Sequence, residues 1–151
     1  IGIDQKKSEN LVVVLNELLA NYQMFYQNLR GFHWNIKGKE FFELHLKFEE
    51  FYNDAVIKVD EIAERILTLE GVPLHTFKDY LNVATVECAK DVTQGNECMR
   101  MTLVYFSILL QNERRILNLA SDADDEGTAS LMSDYISETE KTMWMLKSYL
   151  G

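Results

Sequence analysis

Residues 28–66 decide how this chain is arranged, and they read NLRGFHWNIKGKEFFELHLKFEEFYNDAVIKVDEIAERI. The stretch contains two of the three histidines of the chain, together with carboxylates at helical spacing. His45 and Glu49 are four residues apart, and so are Asp60 and Glu64, so each pair would project from one face of a helix. The pattern therefore predicts two halves of one polar site.

A single helix cannot bring these two halves together. His45 and Asp60 are fifteen residues apart, which corresponds to roughly 22 Å at a rise of about 1.5 Å per residue. A metal–ligand bond spans only ~2 Å. If the halves share a metal, a second copy of the chain must supply one of them, and two antiparallel helices related by a two-fold axis would do so. The spacing predicts a site between subunits.

The residue types of the two halves indicate which metal they would bind. His33 lies near the end of the first predicted helix and His45 near the start of the second, so a hairpin at Gly38 can place them side by side. Imidazole and carboxylate ligands without thiolate suit iron or manganese better than a structural zinc, although zinc would also bind. So few protein ligands leave open positions at which peroxide or dioxygen can accept electrons. The expectation is an oxidation site for Fe2+.

Composition and charge limit the class of protein. The chain of 151 residues has one proline and seven glycines, which favours a single, mostly helical domain spanning residues 1–151. Its net charge of −9, with Lys6-Lys7 as the only basic pair near the start, argues against nucleic-acid binding. No apolar run approaches the ~20 residues of a membrane span, and no secretion signal is visible. Cys88 and Cys98 fit neither a zinc pattern nor a disulfide framework, so we expect a cytoplasmic protein.

Hydrophobic periodicity predicts four long helices. We expect the first to begin after Ser8 as N-cap and to end near Asn35. The other three are expected at Phe41 to Gly71, Asn96 to Ala120, and after the acidic turn SDADDEG at 121–127. For the third, the periodicity places Met99, Leu103, Phe106, Leu110, Leu117 and Ala120 on the inner face.

The connections between these helices predict the topology. A long crossover from Gly71 to Gly95 separates two short-looped hairpins, and it contains one amphipathic turn at Thr76–Leu81. Two hairpins joined by one long crossover are typical of the ferritin-like four-helix bundle. Di-iron bundles of that type usually carry Glu-x-x-His motifs, and no histidine here has Glu three residues before it. We therefore expect no di-iron site inside one bundle.

Four sequence segments resemble the Dps family of mini-ferritins over nearly the whole chain. They are FHWNIKG at 32–38, LH at 44–45, DEIAERI at 60–66 and TMWML at 142–146. The resemblance implies a hollow dodecamer in which Fe2+ is oxidised, preferably by hydrogen peroxide, and stored as a ferric mineral. It also implies that His33 and His45 come from one subunit and Asp60 and Glu64 from its neighbour.

The resemblance further implies roles that have structural alternatives. Glu49 stands where Asp is commoner in the family, and its carboxylate either binds metal directly or acts through water. Asp125 and Glu126 would line a pore for iron, although acidic residues at a helix start are also ordinary caps. Trp34 would donate an electron, or it simply packs. The family name also implies DNA coating as an alternative function, which the charge and the lack of a basic tail disfavour.

Overall fold

The computed structural model describes residues 1–151, which form five helices and no strand. The helices are α1 (Gln5–Asn35), α2 (Phe41–Thr68), α3 (Phe77–Val83), α4 (Gly95–Asp122) and α5 (Glu126–Leu150). Four are long, and the short α3 lies in the crossover between α2 and α4. This confirms the predicted all-α, ferritin-like four-helix bundle. None of the helices combines the length and the apolar character that crossing a bilayer requires.

The hairpin between α1 and α2 is closed by a tight turn. Ile36 leaves the helix in an extended conformation, and Gly38 has φ of +119°, in the left-handed region that residues with a Cβ rarely adopt. The backbone N–H of Lys37 donates to the carbonyl of Thr93 at 2.9 Å, which fastens the end of the crossover to this turn. The turn therefore fixes the start of α2 against the end of α1.

The core is formed by the inward faces of the four long helices. All six positions predicted for α1 are buried: Leu11, Leu15, Leu18, Tyr22, Phe25 and Leu29. Phe25 packs against Phe106 of α4, with ring centroids 5.0 Å apart. Burying an apolar side chain of this kind contributes about 1.5–3 kcal/mol, so the periodic faces drive the packing of the bundle.

Two buried asparagines of α1 hold the crossover in place. The side-chain oxygen of Asn21 accepts hydrogen bonds from the N–H groups of Thr85 and Val86, at 2.8 and 3.0 Å. The side chain of Asn28 accepts from Ala89 at 3.0 Å and donates to the carbonyl of Glu87 at 2.8 Å. These hydrogen bonds satisfy backbone groups of the loop that have no strand partner.

Two details of the sequence prediction were wrong at helix ends. The N-cap of α1 is Asp4, which accepts from the N–H of Lys7 at 3.0 Å, whereas Ser8 lies inside the helix and its hydroxyl donates to the carbonyl of Leu69 at 3.3 Å. The last residue of α2 is Thr68, before Glu70 adopts a positive φ of 66° and turns the chain.

The predicted inner face of α4 was displaced by about one residue. Leu103, Leu110 and Leu117 are only partly buried. Met99, Phe106 and Ala120 are buried as predicted, and the rest of the buried face consists of Cys98, Thr102, Tyr105, Leu109, Glu113 and Ile116. Because Thr102 and Glu113 are polar, a pattern based on hydrophobicity alone does not assign them to the buried face.

Candidate metal centre

His33 and His45 stack on each other beside the turn of the α1–α2 hairpin. Their ring centroids are 3.7 Å apart and the ring planes differ by 11°. Nδ1 of His33 lies 2.6 Å from the backbone carbonyl oxygen of His45, and Nδ1 of His45 lies 2.7 Å from that of His33. A carbonyl oxygen can only accept a hydrogen bond, so both Nδ1 atoms carry the proton. Both Nε2 atoms are left with a free lone pair, as a metal ligand requires.

Aromatic side chains hold the two imidazoles in this orientation. Phe41 stacks on His45, with centroids 4.8 Å apart and an angle of 19°. Tyr52 meets His33 edge to face at 5.4 Å and 79°. The sequence analysis did not identify these two residues, although Tyr52 lies seven residues after His45 and so on the same side of α2. His33 is only 8% exposed, and its ring cannot turn without disturbing this stack.

Glu49 adds a carboxylate to the histidine pair. Its Oε1 lies 3.7 Å from Nε2 of His33, and its side chain is 43% exposed. The carboxylate therefore lies beside the free nitrogen and within reach of solvent. His33, His45 and Glu49 form what we call the histidine half-site.

Asp60 and Glu64 form the second group, which we call the carboxylate half-site. Both side chains are exposed on one face of α2. The hydrogen bond between them, together with the negative charge of Asp60, raises the pKa of Glu64. Two carboxylates drawn this close repel each other when both are ionised, and a divalent cation between them would relieve that repulsion.

Neither Asp60 nor Glu64 forms an ion pair with a nearby lysine or arginine. The nearest basic residues along α2 are Lys58 and Arg65, which could pair with these carboxylates on a solvated face. Lys58 instead binds Asp54 and Glu138, and Arg65 binds Asp125. The carboxylate half-site therefore has no cationic side chain bound to it within the chain.

The two half-sites stay apart within one chain. His45 and Glu49 lie on α2 together with Asp60 and Glu64, and α2 is a single helix from Phe41 to Thr68, so His45 and Asp60 are roughly 22 Å apart by helical rise. No group of three or more His, Cys, Asp or Glu side chains lies close enough together to hold a metal ion. The separation expected from the sequence is therefore present in the structure.

Comparisons with known proteins show where this arrangement belongs. The family model of the ferritin-like domain matches residues 13–151. The crystal structure of a Dps protein from Vibrio cholerae O1, a member of a broad superfamily of ferritin-like diiron-carboxylate proteins, superposes with a TM-score of 0.98 at 54% identity and covers 100% of this chain and 95% of that one. The chain belongs to the Dps family.

Curated relatives agree with this membership in the Dps family. An uncharacterised protein of Haemophilus influenzae is 51% identical over 148 residues, covering 98% of this chain and 92% of that protein. The DNA protection during starvation protein of Porphyromonas gingivalis is 41% identical over 148 residues, covering 98% and 93%. The resemblance stated from sequence segments is thus confirmed along almost the entire length of the chain.

The remaining Dps-type candidates occupy different environments. Asp125 is 2% exposed, caps the N-terminus of α5 and binds the guanidinium of Arg65 at 2.8 Å. Its neighbour Glu126 is exposed in the first turn of α5. Of the predicted pore pair, only Glu126 offers a carboxylate to solvent, whereas Asp125 is occupied in holding α5 against α2.

Trp34 lies on the surface one residue after His33. Its ring is 56% exposed, and the guanidinium of Arg30 lies 4.8 Å from the ring centroid. Trp34 is not packed into the core, so it does not act as a core-filling residue within the single chain. The ring is accessible for electron transfer or for contact with another subunit.

Proposed function

We propose that this Dps-family protein binds Fe2+ between two subunits, oxidises it and stores the ferric product inside a closed homo-oligomeric shell. The observation that carries the proposal is the pair of reciprocal hydrogen bonds between His33 and His45. In the neutral imidazoles they leave both Nε2 lone pairs free in a rigid stack, and too few ligands lie nearby to complete a metal site.

The exposed face of α2 supports a second copy as the source of the missing ligands. Five large apolar side chains of this helix are exposed: Phe42, Leu46, Val56, Ile57 and Leu67. At steps of three and four residues they share one face with Glu49, Asp60 and Glu64. An apolar stripe of this kind on a polar-rimmed face is typical of a protein interface. An antiparallel partner would cover the stripe and bring each histidine half-site to a carboxylate half-site.

The residues of the two half-sites have different roles in the oxidation. Neutral imidazoles of His33 and His45 hold Fe2+, and the carboxylates of Asp60 and Glu64 offset the charge that rises when Fe3+ forms. Two Fe2+ each lose one electron, and the two electrons break the O–O bond of hydrogen peroxide. With two protons from solvent, the oxygen atoms leave as water. Glu49, beside His33, either binds the second iron or moves a proton to the departing oxygen.

Iron is the favoured metal because the closely similar Vibrio cholerae protein is placed among diiron-carboxylate proteins. The ligand types alone would also accept zinc or manganese. In this proposal Glu126 contributes to an acidic entrance through a dodecameric shell, and Trp34 supplies an electron when only one Fe2+ is bound. DNA coating gains no support from a chain with a net charge of −9, which repels phosphate.

Replacing one residue of each half-site tests the proposal. His33→Ala and Asp60→Ala should each lower the initial rate of peroxide-driven Fe2+ oxidation by at least about tenfold, because a ligand is lost. Both should leave the helix content and the size of the assembly unchanged. The rate is measured by the absorbance of ferric iron in metal-free protein.

The matched control for this experiment is His75→Ala. His75 is exposed in the crossover and its Nδ1 contacts the carbonyl oxygen of Pro73, away from both half-sites. It should keep the wild-type rate. Wild-type rates in His33→Ala and Asp60→Ala would rule out the proposed site.

A further inference from the structure

A lysine is buried between α2 and α5, and it pairs with two carboxylates whose side chains are themselves 60% and 59% exposed. Lys58 of α2 is 5% exposed. Its ammonium donates to the carboxylates of Asp54 at 2.6 Å and Glu138 of α5 at 2.7 Å. It also lies 5.2 Å from the ring centroid of Tyr135. A lysine this deeply placed stays charged only when carboxylates compensate it.

A third carboxyl group lies deeper in the same region. Glu113 of α4 is completely buried and accepts hydrogen bonds from the hydroxyl of Tyr22 in α1 at 2.8 Å and from that of Thr139 in α5 at 3.0 Å. With Lys58 on α2, all four long helices place a polar side chain in this part of the bundle. Lys58 is the only cationic side chain that forms an ion pair there.

Ferritin-like di-iron proteins hold their metals in the bundle core, with inward-facing carboxylates and histidines from the four helices. Around Lys58 this chain has the carboxyl groups of Asp54, Glu113 and Glu138 but no histidine, and an ammonium group lies among the acids. The residues present therefore do not fit a metal, since a divalent cation would have to displace or approach a fixed positive charge.

We propose that the ammonium of Lys58 takes the place of a metal cation in the bundle and excludes divalent metals from its interior, which confines metal binding to the surface of α2. Lys58 is thus a residue that determines where metal binds. This inference goes beyond the proposed function and does not depend on the two half-sites acting as an oxidation centre.

The protonation state of Lys58 is consistent with this role. Burial alone would lower the pKa of the ammonium, but the hydrogen bonds to Asp54 and Glu138 and their negative charges outweigh it and raise the pKa. The positive charge is accordingly present beside Asp54 and Glu138 throughout the neutral pH range. It offsets their repulsion without any bound ion.

Removing the charge of Lys58 tests the inference. The probe is Co2+, titrated into the metal-free, full-length assembled protein and followed by calorimetry and by its visible absorption. Lys58→Gln should bind one additional Co2+ per chain compared with the wild type, because the carboxylates lose their internal cation. Adding Glu138→Gln to the same chain should abolish the additional ion.

The matched control is Lys141→Gln, which removes an equal charge from an exposed lysine that lines the same 290 Å³ groove between α2 and α5. It should bind no additional Co2+. Unchanged Co2+ stoichiometry in a folded Lys58→Gln variant would overturn the inference. So would an additional ion that persists in the double variant or appears equally in the control.

Lys58→Gln could also fail to fold without metal, since it leaves carboxylates unpaired in the bundle. In that case Co2+ should restore the far-ultraviolet helix signal of Lys58→Gln but not that of Lys58→Gln/Glu138→Gln. A variant that stays unfolded in the presence of Co2+ would overturn the inference as well.

Discussion

At the scale of single residues, Glu113 is the carboxyl group most affected by the fold. Burial raises its pKa to about 7, even though the hydrogen bonds from Tyr22 and Thr139 and the charge of Lys58 act in the opposite direction. In the unfolded chain the same group titrates near 4.5. The folded protein therefore holds a proton on Glu113 over a pH range in which the unfolded chain releases it.

This difference predicts how stability depends on pH. Because the folded state binds the extra proton, the free energy of unfolding falls as pH rises from about 4.5 through about 7. Glu113→Gln stays neutral throughout and should remove up to about 3 kcal/mol of this decline between pH 5 and pH 8. The measurement is urea unfolding at both pH values and one protein concentration.

The control for this prediction is Glu140→Gln, which changes an exposed residue of α5 that pairs with Arg114 of α4. It should leave the pH dependence of the wild type intact. If Glu113→Gln and the wild type lose the same unfolding free energy between pH 5 and pH 8, the assigned pKa is wrong.

The two histidines show which features of a single site can be predicted from the sequence. Their neighbouring positions across the hairpin were predicted from helical rise and a short turn. The stack and the crossed hydrogen bonds were not, because they depend on the exact packing angle of α1 on α2. The same limit applies to Phe41 and Tyr52, whose contact with the imidazoles follows from that angle.

At the scale of elements, the start of α5 is held by more than an ordinary cap. Asp125 accepts from the N–H and the hydroxyl of Thr128, and Arg65 of α2 binds both Asp125 and the hydroxyl of Thr128. Gly127 leaves room for this guanidinium, since a Cβ at that position would lie 2.7 Å from one of its nitrogens. The network ties α5 to the end of α2 that carries Glu64.

Two N-cap aspartates allow this network to be tested. Asp4→Ala removes an exposed cap and should cost about 1 kcal/mol of unfolding free energy. Asp125→Ala also leaves Arg65 without its partner and should cost about 3 kcal/mol or more. Thermal unfolding of both variants under one set of conditions gives the comparison. Equal destabilisation would show that the Arg65 contact contributes nothing.

The helices also show where pattern reasoning succeeds and fails. All six positions predicted for α1 are buried, although the buried face also contains Asn21 and Asn28, which the pattern did not include. In α4 the buried Thr102 and Glu113 shifted the predicted face toward Leu103 and Leu110, since a hydrophobic pattern cannot recognise a satisfied buried polar group. The start of α1 was misplaced because Asp4 and Ser8 are both good N-caps by residue type.

At the scale of the whole molecule, α2 organises both the fold and the proposed chemistry. Its inner face builds the bundle and carries Lys58, while its outer face carries the carboxylate half-site and the exposed apolar stripe. One continuous helix keeps the two half-sites roughly 22 Å apart. In the proposed function, a complete site therefore requires a second chain.

Mixed assemblies test this claim most directly. His33→Ala and Asp60→Ala chains are unfolded together in equal amounts, reassembled, and assayed for peroxide-driven Fe2+ oxidation. Half of the two-fold pairs should contain one chain of each kind, and one of the two sites in such a pair has every ligand. About one quarter of the wild-type rate should be recovered, whereas each variant alone should stay at or below about one tenth of that rate. No recovery in assemblies shown by mass spectrometry to contain both chains would contradict a site shared between subunits.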